Sequence, residues 1–234
     1  MKGRSPVFRR FLVASAAVLG VGLVVAGCSP VEMGAAAIVG NQRITIATLD
    51  TEVTNLSQTA KLYPGTVQLS ATQETQETLS WLVRFRINEE LASSDGITVS
   101  TAQAQTALAE IYAESKSEAE SDGLTNVTLP LILAANGIPP NLSAELGRYQ
   151  AIETQFVERT NGGKIPTATS AQTAATAKLD RAQCVVAKSL KIEINPQFGR
   201  LNYSQYQVVS APSTVSRPAG KATAASTSGL TPAC

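Results

Sequence analysis

The sequence predicts a mainly α fold of five or six helices with a small antiparallel sheet. Two observations carry this. Between residues 45 and 190, apolar side chains recur every three or four positions in successive segments, most of them opened by a hydroxyl residue or proline and closed by Gly, Asn or Pro. Alternating, strand-like runs are confined to the two ends of that stretch.

Taken in order, Ala36-Ala37-Ile38-Val39, the turn pair Gly40-Asn41 and Arg43-Ile44 make a hairpin. Thr45 is placed to cap a helix whose apolar face is Leu49, Val53, Leu56, Ala60 and Tyr63, and Pro64-Gly65 stops it. Ser70 with Gln73 is a capping box. The helix it opens carries Leu79, Leu82, Val83, Ile87 and Leu91, with Trp81 and Phe85 on a flank that widens the apolar arc, and Asp95-Gly96 ends it. Ile97-Thr98-Val99 leads to a second capping box, Ser100 with Gln103, and a helix bearing Ala104, Ala107, Leu108 and Ile111. The charged run from Tyr112 to Asp122 suits a solvated helix end or a mobile loop, and a solvated face is the plainer reading. Leu129 to Ala135 is a short apolar helix or turn. Pro139-Pro140 opens a further helix through Leu142, Leu146, Tyr149, Ile152 and Phe156, closed by Asn161-Gly162-Gly163. Ala175, Leu179, Ala182, Val186 and Leu190 keep helical spacing in the last helix, after which Lys191 to Ile194 alternates as a strand and Tyr206 to Val209 is a second short run. From Ala211 onward there is almost nothing to bury, which predicts a disordered tail over 210–234.

The amino terminus has its own logic. Lys2, Arg4, Arg9 and Arg10 precede an apolar run from Phe11 to Val25, a secretory signal. Val25-Ala26-Gly27-Cys28 resembles the bacterial lipobox, so cleavage is expected after residue 27, with diacylglycerol on Cys28 and the protein held on the outer face of the cell membrane. Residues 28–35 then form a tether and 36–209 the domain. Removing 1–27 takes away four of the 19 basic residues and none of the 18 acidic ones, for a mature net charge of −3. No basic surface for nucleic acid follows.

The chain has no histidine. Serine-triad hydrolysis, most zinc sites, haem ligation and histidine general-base chemistry all use an imidazole, so those classes are set aside. Glu89-Glu90, Glu74, Glu77 and the run from Glu114 to Asp122 sit at polar helical positions where solvation is the ordinary explanation, and no metal cluster, cofactor motif or phosphate-cradling loop is present. No catalytic residue is assigned. Cys184 and Cys234 can pair in an oxidising compartment and tie down the tail; the alternative is two unpaired thiols.

Four segments resemble the SurA-type envelope chaperones, in particular actinobacterial lipoproteins with a SurA N-terminal domain. They are Ala37 to Thr45 with Leu49-Asp50; Leu79 to Leu91 with Glu89-Glu90; Gly96 to Ser100; and Ile192 to Gly199, where a strand runs into Asn195-Pro196-Gln197-Phe198-Gly199. Thr48 and Gln197 depart from the family's usual Glu and Arg. The resemblance implies that the closing strand returns to the amino-terminal hairpin, which a marginal two-stranded hairpin also needs physically. It does not bring prolyl isomerase activity, because only Thr167 to Lys191 stands where relatives insert a parvulin domain and the histidines of parvulin sites are missing; a residual isomerase is the least favoured reading. What it implies instead is holding of unfolded or extended client polypeptides, the alternative being a structural lipoprotein that docks one envelope partner. Trp81, Phe85, Leu131, Ile132 and Leu133 are the candidate client-binding residues, chosen because they exceed what one contact needs to bury; the bland alternative is that all five are core.

Overall fold

Hydroxyl caps set where the helices start. In the computed structural model, which describes residues 33–211, Thr45 Oγ1 accepts the Thr48 amide at 3.0 Å and opens α1 (Ile46–Leu62). Thr48 supplies a hydroxyl 2.8 Å from the same oxygen, so the departure from glutamate leaves the cap in place. Ser70 and Ser100 form reciprocal capping boxes with Gln73 and Gln103 and open α2 (Ala71–Ser94) and α3 (Thr101–Ser121). The charged run from Tyr112 is therefore helix almost to its end. α4 (Leu129–Ala135) is capped by Thr128, and a 3₁₀ turn (Pro140–Leu142) runs into α5 (Ser143–Thr160), which α6 (Thr169–Ser189) follows.

The sheet closes as the sequence predicts. β1 (Ala35–Val39) and β2 (Gln42–Thr45) form the hairpin, and β3 (Ile192–Ile194) pairs antiparallel with the other edge of β1, in the order β2-β1-β3. Gly40 takes φ +59° as the first central residue of the two-residue turn, the place where that turn wants glycine. Beyond β3, Asn195 acts as a staple. Its amide and its side-chain Nδ2 donate to the Ala36 and Ala35 carbonyls at 2.9 and 3.0 Å, while its Oδ1 accepts from the Gln197 amide at 3.1 Å. The Asn-Pro-x-Phe-Gly segment is thus a turn that leaves one sheet and enters another. That second sheet, β4 (Arg200–Asn202) with β5 (Gln207–Val209), contains a strand that no sequence pattern announces, since Arg-Leu-Asn has neither length nor β-branched residues.

α2 lies at the centre, against α1, α5, α6, β1 and β5. A helix surrounded in this way buries a wide arc, which is why its sequence is apolar beyond one face. Phe85 and Leu133 are in the main core, and Leu131 fills a smaller one with Leu56, Ala60, Val67 and Ala134, where α4 meets α1. Across the molecule, α3 packs most extensively on α5, and Gly147 allows it: a Cβ there would stand 2.4 Å from the Ala104 carbonyl oxygen. No helix among the described residues is long and apolar enough to cross a membrane. The signal, Cys28, most of the tether, and the tail with Cys234 lie outside the described residues.

Candidate functional site

Four of the five proposed client-binding residues are corrected to core. Phe85, Leu131, Ile132 and Leu133 are each less than a tenth exposed, because α2 and α4 are enclosed by neighbours that a helical pattern alone does not reveal. Trp81 alone is half-buried. Its indole Nε1 donates to the Asn136 carbonyl at 3.3 Å, and its ring lies 5.7 Å from Phe85 and 6.0 Å from Tyr149.

The concavity lies one step further round. α5 and α6, with Arg84 of α2 and the turn between β4 and β5, enclose an open cleft of about 1030 Å³. Three of the chain's five tyrosines, Tyr149, Tyr203 and Tyr206, line it. Its floor is polar. Gln183 Nε2 donates to Glu153 Oε1 at 2.7 Å and makes a longer bond of 3.4 Å to Asn88 Oδ1, while Asn88 Nδ2 donates to the Tyr149 carbonyl at 2.9 Å. The Tyr149 hydroxyl lies beside this group and acts on the Glu153 carboxyl. Asn88 and Gln183 are buried, and Glu153 is half-buried with an edge on the cleft.

Burial governs the electrostatics. It pushes the Glu153 carboxyl above the ordinary carboxylate range, against the lowering effect of the Tyr149 and Gln183 hydrogen bonds. It also pushes the Tyr149 phenol well up, and the Glu153 charge adds to this, so Tyr149 is a neutral donor at any physiological pH. Tyr206 is pushed up to about 12 by burial and then by Asp180. Arg84 is already engaged: its guanidinium donates to the Gln205 carbonyl at 3.0 Å and lies 4.8 Å from the Trp81 ring centre.

The β4–β5 turn is built to present its rings. Asn202 Oδ1 accepts from the Ser204 amide at 3.1 Å and from its hydroxyl at 2.7 Å, and Tyr206 takes φ +50°. A bulky residue in that region costs on the order of 1 kcal/mol, a strain tolerated where the surroundings hold it. Here β5 is pinned to α2, since Ser80 Oγ accepts the Val208 amide at 2.8 Å.

No family model, curated protein or solved structure matches this chain. The cleft therefore has to be read from its own chemistry. Its offering is three phenol rings, the primary amides of Gln150, Gln183 and Gln205, the carboxyl groups of Glu153 and Asp180, the guanidinium groups of Arg84 and Arg181, and apolar walls from Val157, Leu179 and Ile165. Such a set can both donate to and accept from polar groups. Among the described residues no group of His, Cys, Asp or Glu is positioned to hold a metal ion.

Sequence reasoning passed over this site. Tyr149 reads as one more residue of an apolar face, and Glu153 is absent from the acidic clusters that attract notice. The usable signal is the i, i+4 spacing of Tyr149 and Glu153 on α5. Cys184 lines the cleft and is disulfide-bonded, its partner sulfur lying outside the described residues, where both Cys28 and Cys234 fall.

Proposed function

We propose that this chain is a lipid-anchored, extracytoplasmic chaperone-like protein that holds unfolded or extended client polypeptide in the cleft between α5, α6 and the Tyr203 to Tyr206 turn. The single observation that carries the reading is the cleft itself. It lies at the top of the size range of small-molecule sites, about 300–1,000 Å³, and is open. Tyrosine rings give contact area at low entropic cost and tolerate many sequences. The signal and lipobox-like segment support a place outside the membrane, and the resemblance to SurA-type lipoproteins supports the class of activity. Binding here is by aromatic and hydrogen-bonding groups rather than by a purely apolar helix face.

One observation favours the second reading, docking of one dedicated envelope partner. The floor of Asn88, Gln183, Glu153 and Tyr149 is fixed by mutual hydrogen bonds and asks for matching groups. The two readings separate in one experiment: suppression of aggregation of several unrelated unfolded proteins, with photo-crosslinking from position 203. Holding predicts suppression that Y203A/Y206A weakens, with many crosslinked species. A dedicated partner predicts no suppression and one crosslinked product. Suppression unchanged by Y203A/Y206A would remove the cleft from the mechanism.

A further inference from the structure

We infer that the cleft has a resident occupant, the chain's own segment 212–234, strapped across it by a disulfide between Cys184 and Cys234. The inference rests on the lipoprotein reading for the identity of the sulfur and on the holding reading for what the strap regulates.

The starting point is Cys184. It lies on α6, lines the cleft, and is in a disulfide. The sequence contains two other cysteines, Cys28 and Cys234. A lipidated Cys28 carries its diacylglyceryl group as a thioether on sulfur and has no thiol to oxidise, so the bond falls to Cys234. Its formation takes one proton from each thiol and passes two electrons to the disulfide of an exchange partner, which leaves as a dithiol.

Reach does not restrict the strap. The described chain ends at Ala211, just after Ser210 Oγ accepts from Gln76 Nε2 at 3.1 Å. The 23 residues beyond it span up to roughly 75 Å when extended, against a radius of gyration of about 16 Å for a domain of this size.

Chemistry fits as well. Residues 212–234 carry Arg217 and Lys221 and no acidic residue, and the cleft offers them the carboxyl groups of Glu153 and Asp180, beside Arg181 and an Arg84 already held by the Gln205 carbonyl and the Trp81 ring. Pro212, Pro218 and Pro232 disfavour helix, and the many Ser and Thr hydroxyls match phenol and amide partners. A segment of this composition is of the ligand class proposed for the cleft. Clients would then compete with an intramolecular occupant of high effective concentration.

The test uses the full-length lipidated protein in detergent. Peptide mapping without reductant should yield Cys184 joined to Cys234. Hydrogen exchange should show the Tyr203 to Tyr206 turn protected, with C234S or deletion of 212–234 speeding its exchange about tenfold or more while α3 is unchanged. Cys184 joined to Cys28, or identical exchange in the turn with and without the tail, would overturn the strap. No client is present in these measurements, so they are independent of the holding reading. That reading fails separately if the tail-deleted protein, with its cleft bared, captures no unfolded polypeptide.

Discussion

The two faces of α5 solve opposite problems with the same helix. Toward α3 and the end of α2 it is welded: Gly147 lets α3 approach, Arg148 sets its Nε and Nη2 on the two Glu89 carboxylate oxygens and donates from Nη1 to the Val99 carbonyl at 3.0 Å, and Arg159 grips the Asp95 and Gly96 carbonyls of the α2–α3 connection at 2.8 and 3.1 Å. Toward α6 it stands apart, and the gap is spanned at its floor by Asn88, Gln183 and Glu153. Dry packing and charged clamps hold the first face closed, and a hydrogen-bonded polar floor lets the second stay open without collapsing. A cleft of this kind needs a rigid back, which the α3 side supplies.

The sharpest way to break the contrast is to add bulk to each face in turn. Gly147→Val drives a branched side chain into the Ala104 carbonyl and should cost about 3 kcal/mol, read as a fall in Tm of about 10 °C. Thr154→Leu, on the cleft wall of the same helix, should stay within about 0.5 kcal/mol and instead lower client capture. Equal destabilisation by both would mean that the cleft is packed shut in solution.

Asn88 ties α5 to α6, being buried in α2 and bonded to the Tyr149 carbonyl and to Gln183. Asn88→Ala leaves those partners short of a bond and should cost about 2 kcal/mol in chemical denaturation. The cleft floor should loosen first, seen as faster exchange in α6 than in α3.

These residues also show what a sequence can and cannot tell. Capping boxes at Ser70 and Ser100 are legible because both halves of each bond lie three residues apart. The return of Ile192 to Ile194 to the hairpin is legible because a lone hairpin needs a further strand. Leu131 and Leu133 look like surplus grease only because the pattern does not show α1 and α3 packing on α4. Gln183 is opaque for the converse reason. A glutamine on a helix reads as solvated, and the partners that bury it are 30 and 95 residues away.

Acidity sharpens the comparison further. The Glu153 carboxyl is raised above its ordinary 4.5 by burial, so the folded state binds its proton more tightly than the unfolded chain. Stability from this group is full below that value and is lost as pH rises through the folded-state pKa, where the charge must form in a half-buried site. Glu153→Gln should remove this slope, leaving Tm flatter between mildly acidic and neutral pH than in the unaltered protein. An identical pH profile in both would place Glu153 in solvent. Arg148→Met, on the welded face, should leave the slope as it is.

A small effect discriminates most finely, because a disulfide acts on both states of this chain. In the unfolded protein, joining Cys184 to Cys234 closes a loop of about 50 residues, but in the folded protein it also closes one of about 23, from Ala211 to Cys234. A tail that merely dangles therefore gives up nearly as much freedom folded as unfolded, and the net entropic gain is only about 0.7 kcal/mol. Reduction, or C234S, should then lower Tm by about 2 °C. A fall well beyond that requires contacts between segment 212–234 and the cleft that the bond helps to keep, because chain entropy alone cannot supply it. Melting with and without reductant thus separates a strap that lies in the cleft from one that only spans it.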